Sequence, residues 1–170
     1  MLYPAPLTLA VHALIIFILI IGLKRLRRWP IIFALLILPG TIAHELLHFI
    51  AGLLTGARPV GLSVLPKKQN DGTWLLGAVT FNNLRWWNSV PVGLAPLALI
   101  PLGGWLFFYS TALPVNSVQG AILKIMTALC LISGWPSSQD WSHAVKGLLI
   151  AVILAVAIGL GLISLELIKF

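Results

Sequence analysis

Apolar residues run almost unbroken through residues 6–23, interrupted only by Thr8 and His12, and the run ends at Lys24, Arg25, Arg27 and Arg28. A helix that crosses a bilayer needs about 20 mostly apolar residues, so this stretch predicts a first span. Charge follows the run instead of preceding it, which reads as a retained helix and not a cleaved signal peptide. A second run covers residues 31–55, with Trp29-Pro30 before it, Gly56 after it and Pro39-Gly40 inside it. A proline there predicts a kink. Residues 90–109 form a third run, broken by Pro91, Pro96, Pro101 and Gly103-Gly104. A fourth, residues 121–133, is short for a full crossing, and the last, residues 141–168, is the most uniform. Between the second and third runs the pattern changes. Residues 61–65 and 73–81 read as strands joined through Asn70-Asp71-Gly72. An open sheet edge is not tolerated against lipid, so this hairpin is expected at the membrane interface or against helices. The expected fold is an all-α membrane protein of about five transmembrane helices, with a membrane-associated β-hairpin between the second and third. One domain is expected over residues 1–170: a first helix and basic loop (1–30), a core (31–142) containing the hairpin (61–81), and a last helix (143–170).

Composition strengthens the membrane reading, because 59% of residues are apolar and 9% charged, against about 25% charged in soluble domains. Mean hydropathy is +1.03 and the isoelectric point is near 10.2. The excess of 11 basic over 4 acidic residues falls mostly beside the apolar runs, where it suits lipid headgroups and not nucleic acid. A multi-pass protein of a prokaryotic plasma membrane is the expectation, with the bilayer as its partner. With residues 24–28 cytoplasmic, the amino terminus and hairpin fall outside and the carboxyl terminus inside. Arg58, Lys67, Lys68 and Arg85 then oppose that orientation, unless the hairpin dips into the membrane. Cys130 is the single cysteine and excludes an intrachain disulfide.

The acids are few: Glu45, Asp71, Asp140 and Glu166. Glu45 belongs to His44-Glu45-Leu46-Leu47-His48, an H-E-x-x-H pattern in the second run. Residues four apart share a helix face, so both imidazoles reach one metal ion, while Glu45 can approach a water beside it as a general base. Two imidazoles and a carboxylate suit Zn2+. At this composition the pattern arises by chance about once in a thousand such chains, and ionisable side chains near the middle of a membrane helix cost about 2.5–3.5 kcal/mol each. A bound metal compensates that cost. The expected third ligand is Asp140, after Pro136-Ser137-Ser138-Gln139 at the junction of two apolar runs. A helix cap at Ser137, Ser138 or Asp140 is the competing reading, and His143, one turn on, is the competing ligand or an orienting neighbour. Asp71 is read as a turn residue, Glu166 as an interfacial charge beside Lys169, and His12 as a packed or interfacial histidine.

These residues resemble the site-2 protease family of intramembrane zinc metalloproteases, which carry H-E-x-x-H in one membrane helix and a Pro-containing Asp motif two helices later. The resemblance runs from residue 31 to the start of the last helix. It implies that His44, His48 and Asp140 bind zinc and that Glu45 activates water to hydrolyse a peptide bond of a transmembrane protein substrate. It also implies that the hairpin, residues 61–81, helps to hold an extended substrate. Many members carry an Asn-Pro-Asp-Gly type motif at the aspartate, whereas Pro136-Ser-Ser-Gln-Asp140 looks like the Pro-Ser-x-x-Asp form of smaller members. Ser137, Ser138, Gln139 and His143 are therefore all candidates for the hydrogen-bond donor to the developing oxyanion. Three rivals remain open. One is a non-proteolytic metal-binding membrane sensor or assembly protein on the same framework. Another is a purely structural helical protein, and the third is a membrane zinc protease that takes a glutamate from a later helix, for which only Glu166 could serve.

Overall fold

The structure, a computed structural model, describes residues 6–70 and 72–167, with side chains as far as residue 159. Asp71, expected in the hairpin turn, and the Glu166 side chain, expected at an interface beside Lys169, lie outside the described residues. The chain is mostly helical. Helix α1 (Pro6–Arg25) leads through a 3-10 turn (Leu26–Arg28) into α2 (Pro30–Leu54), which is continuous through Pro39. The strands β1 (Pro59–Ser63), β2 (Lys67–Lys68), β3 (Trp74–Leu75) and β4 (Ala78–Phe81) follow, and then α3 (Trp86–Leu94), a 3-10 turn (Ala95–Ala98) and α4 (Leu99–Thr111). Helices α5 (Val118–Ser133) and α6 (Ser138–Leu167) complete the chain. The proline-rich third run is thus one irregular helical stretch in three pieces. Four stretches, Pro6–Arg28, Pro30–Leu54, Trp86–Thr111 and Ser138–Gly159, are long and apolar enough to cross a bilayer, and Val118–Ser133 is shorter.

The end of α2 shows why the chain turns where it does. Gly56 has φ +71°, and the amide of Gly56 donates to the Leu53 carbonyl while that of Ala57 donates to Gly52. This pair of bonds closes a helix on a residue in the left-handed region, which glycine enters without steric cost. The chain then reverses into the hairpin. The sequence predicts one hairpin over residues 61–65 and 73–81, but there are two short antiparallel ladders. In one, β1 pairs with β4 from Ser63–Ala78 to Pro59–Phe81, with an irregularity at Val60; in the other, β2 pairs with β3. Pro66, which has no amide hydrogen to give, sits in the gap between the ladders. Residues 76 and 77 are opposite it and outside either ladder.

The hairpin does not sit at the end of α2 but lies along it. Phe81 covers Gly52, Gly77 covers Glu45, and Leu76 packs on the cluster of Phe33, Ile37 and Leu129. From Gly52 to Ile37 is a helical rise of about 22 Å, so the polar-flanked segment follows more than half of α2.

Helix pairing depends on small residues. Helices α4 and α5 pair with Gly103 against Cys130 and Leu131, α2 meets α5 where Gly40 faces Ser133, and α3 pairs with α6 where Gly93 faces Asp140 and Ala144. Polar contacts add direction. Asn88, fully buried, accepts from the Arg85 amide at 2.7 Å and donates to the Asn83 carbonyl at 3.0 Å, fixing the start of α3. His12 is packed, not interfacial: it is 0% exposed and faces Ser110 of α4 at 3.5 Å. Lys124 of α5 is buried beside the same helix ends and donates to the Val115 carbonyl.

Gly147 is the sharpest test of the α3–α6 seam, since a Cβ there meets the Ser89 hydroxyl and comes 2.5 Å from the Trp86 carbonyl oxygen. Backbone cannot yield as a flexible side-chain end can. Gly147→Ala is expected to destabilise the detergent-solubilised protein by about 1–3 kcal/mol, read as a lowered thermal midpoint, whereas Gly104→Ala, which meets nothing within 4 Å, should leave it unchanged.

Candidate metal centre

Helix α2 presents one stripe inward. Phe33, Ile37, Thr41, His44, Glu45 and His48 recur at spacings of three and four and line a cavity of about 360 Å³, the periodicity that places residues on one helix face. The opposite walls are residues 74–79 of the hairpin, Val92 and Gly93 of α3, and Ser133 to His143 around the start of α6. Glu45 is 7% and His48 5% exposed.

Three of these side chains converge. The Nε2 atoms of His44 and His48 are 3.2 Å apart. Asp140 Oδ2 lies 3.5 Å from His44 Nε2, and Asp140 Oδ1 lies 3.2 Å from His48 Nε2. The other ring nitrogens explain what those atoms are. His44 Nδ1 is 2.6 Å from the Ser133 carbonyl and His48 Nδ1 is 2.7 Å from the Val92 carbonyl. A carbonyl only accepts, so each Nδ1 must carry and donate the hydrogen, which leaves each neutral ring with a bare lone pair at Nε2. With both rings neutral, two lone pairs and a carboxylate face one point, an arrangement that a shared cation makes favourable.

The spacing fits such an ion. Imidazole and carboxylate ligands bound tetrahedrally at ~2.0–2.2 Å put donor atoms ~3.3–3.6 Å from one another. Here the two Nε2 atoms are 3.2 Å apart, Asp140 meets each through a different oxygen, Oδ2 at 3.5 Å from His44 and Oδ1 at 3.2 Å from His48, and one donor atom from each residue lies within 4.8 Å of the others. His44, His48 and Asp140 could thus hold a metal ion, as the sequence pattern predicts. Histidine ligands that donate their second N–H to a fixed acceptor are held in tautomer and orientation, and both histidines have one.

Local sequence supplies those acceptors. Ser133 is the last residue of α5, and its carbonyl has no donor further along the helix. Pro136 lacks an N–H, and the Ser137 amide is turned to Asp140 Oδ2 at 2.7 Å. Val92 stands four residues before Pro96, so the usual intrahelical donor to its carbonyl is also missing, and only the Ala95 amide reaches it. Two prolines thereby open two carbonyls to two histidines. Asp140 combines the readings that sequence sets against each other. The Ser137 hydroxyl accepts from the Asp140 amide at 3.2 Å while Asp140 accepts from the Ser137 amide. That reciprocal cap fixes the first turn of α6 and still leaves the carboxylate facing the histidines.

The remaining candidates are placed as follows. Ser137, Gln139 and His143 line the cavity, and Ser138 does not. His143 is not part of the converging group. Glu45 lines the cavity beside the two histidines and is covered by backbone, since a Cβ on Gly77 would come 2.6 Å from its Oε1. Gly77 was not singled out from sequence; the signal was there, because a lone glycine within a strand pattern marks close approach by another group. Searches against family models, curated proteins and solved structures return no match for this chain.

Elemental analysis of the purified protein should give about one divalent ion per chain, lost in His48→Ala and in Asp140→Ala. Pro96→Ala restores a backbone donor that competes for the Val92 carbonyl, and should weaken metal affinity about tenfold in a chelator competition titration without abolishing it.

Proposed function

We propose that this protein is a membrane-embedded zinc endopeptidase of the site-2 protease type, hydrolysing a peptide bond of a transmembrane substrate. The observation that carries this reading is the acceptor triangle of His44, His48 and Asp140 sharing one cavity with Glu45. Membrane insertion is supported by the four long apolar helical stretches and by the apolar residues left exposed along α6, among them Leu148, Leu149, Val152 and Ile153. Exposed apolar surface on that scale is unfavourable in water and neutral in lipid.

Zinc held by the two imidazoles and the carboxylate supplies a Lewis acid that polarises the scissile carbonyl and makes water acidic enough to attack near neutral pH. The chain's own groups do the rest. Glu45 takes a proton from the attacking water as the new C–O bond forms, and gives it to the amine as the C–N bond breaks. Attack by water in this way forms no covalent acyl-enzyme. Gln139, Ser137 and His143, which line the cavity, are the candidates to donate a hydrogen bond to the oxyanion. Hairpin residues 76–79 line the cavity with the histidines, and an unwound substrate would add to the hairpin there by main-chain pairing.

Glu45→Gln separates this reading from a metal-binding sensor or assembly protein, because it removes the proton acceptor and leaves every metal ligand in place. Cleavage of a reconstituted single-span substrate should fall by about 10²–10⁴-fold with metal content unchanged. Undiminished cleavage by that variant would exclude Glu45 as the base.

A further inference from the structure

The cavity extends well beyond the metal ligands. Following α2 from Glu45 to Phe33 takes it about 18 Å along the helix, to Arg27, which lines its far end. Along this arm the walls are Phe33, Ile37, Trp74, Leu75 and Leu76, all apolar or aromatic. Of the basic residues clustered between α1 and α2, Lys24, Arg25 and Arg28 do not line the cavity, whereas Arg27 does. Its guanidinium is held 5.5 Å from the centroid of the Phe33 ring. Stacking of this kind orients a guanidinium while leaving its N–H edge available. The carboxylates in the cavity, Glu45 and Asp140, stand at the opposite end, and Arg27 forms no ion pair among the described residues.

We propose that this arm seats an extended, apolar segment of the substrate, and that Arg27 pairs with an acidic side chain about five or six residues from the bond that is cut. The spacing follows from the arm's length, since an extended chain rises about 3.3 Å per residue. The chemistry follows from its lining: apolar walls accept apolar side chains, and a planar guanidinium recognises a carboxylate through two parallel hydrogen bonds. This inference rests on the reading of the site as a protease and adds to it a rule for substrate choice.

The test uses the full-length protein reconstituted in vesicles with synthetic Leu/Ala-rich single-span peptides of about 25 residues, each with a central Asn-Gly to loosen the helix. One Glu is placed at successive positions three to eight residues on either side of the cut, with Gln at the same position as reference. The expected result is a single optimum, at five or six residues on one side, where Glu is favoured over Gln about tenfold in kcat/KM, mainly through KM. The same preference should appear as tighter peptide binding to the Glu45→Gln protein. Arg27→Gln should remove the preference and Arg27→Glu should transfer it to a Lys-bearing peptide, while Arg28→Gln should retain it. Cleavage by the wild type with no such optimum overturns the inference and leaves the protease reading standing. So does a preference that survives Arg27→Gln, or one that Arg28→Gln abolishes equally through general surface charge. If the wild type neither binds nor cleaves any of the peptides, both fall together.

Discussion

Two imidazole Nε2 atoms and a carboxylate are pointed at one another in one half-buried cavity, and the helix ends around them serve to hold them there. Lone pairs on two imidazoles 3.2 Å apart, with a carboxylate against both, repel in a medium that screens poorly. A cation reverses the sign of that interaction. The consequence reaches past the site, because α6 packs along α3, while α2 packs on α3 and α5. The helix bearing the histidines and the helix bearing the aspartate are neighbours chiefly through third parties, and the direct link between them is the contact of Asp140 with His44 and His48, which a shared ion would tighten.

The interruptions in the helices are what make this possible. A carbonyl in the last turn of a helix has lost its intrahelical donor, and in apolar surroundings an unpaired carbonyl costs free energy. At Val92, which keeps only the Ala95 amide, Pro96 removes the usual donor, and at Ser133 Pro136 and the turned-away Ser137 amide do so; the Nδ1–H groups of His48 and His44 supply the replacement. Each partner answers a need of the other. The helix end gains a donor, and the histidine is fixed in the tautomer that leaves Nε2 free. The same economy appears at Asp140, whose carboxylate completes the cap of α6 through Ser137 and faces the histidines. Capping and ligation compete as explanations of an aspartate seen in sequence, yet a carboxylate has enough lone pairs for both.

How much of this could be read from the residues follows from how local each signal is. The histidine pair and Glu45 were legible because helical spacing alone puts them together. Asp140 was legible mainly by elimination, the chain having so few acids. The helical runs were legible because length and hydropathy are local properties, and so was the hairpin, through its turn residues and short strands. Its placement was not. Nothing in residues 61–81 says that Leu76 will pack on the cluster of Phe33, Ile37 and Leu129, or that the chain will leave its ladder at residues 76 and 77. Those are contacts between distant segments, and a strand pattern specifies a face without specifying what lies against it. The roles of Pro96 and Pro136 were hidden for a related reason: a proline announces a missing donor, but which side chain uses the freed carbonyl depends on the packing of another helix. Arg27 reads as one of four basic residues at a helix boundary until the fold brings Phe33 beneath it.

The position of the hairpin then decides what kind of chamber this is. Strand β4 is paired with β1 on one edge, and residues 74–79 line the cavity, so a segment with main-chain groups to offer borders the space that His44, His48 and Asp140 share. Helices alone would present a wall with its backbone already paired. Gly77 brings that wall to within van der Waals contact of Glu45, which no other residue could do without displacing the carboxylate. That close backbone cover holds the Glu45 carboxylate in one place beside the two imidazoles. The glycine between the ladders and the glutamate in the helix are therefore one feature, and the break in the ladders is what allows them to meet.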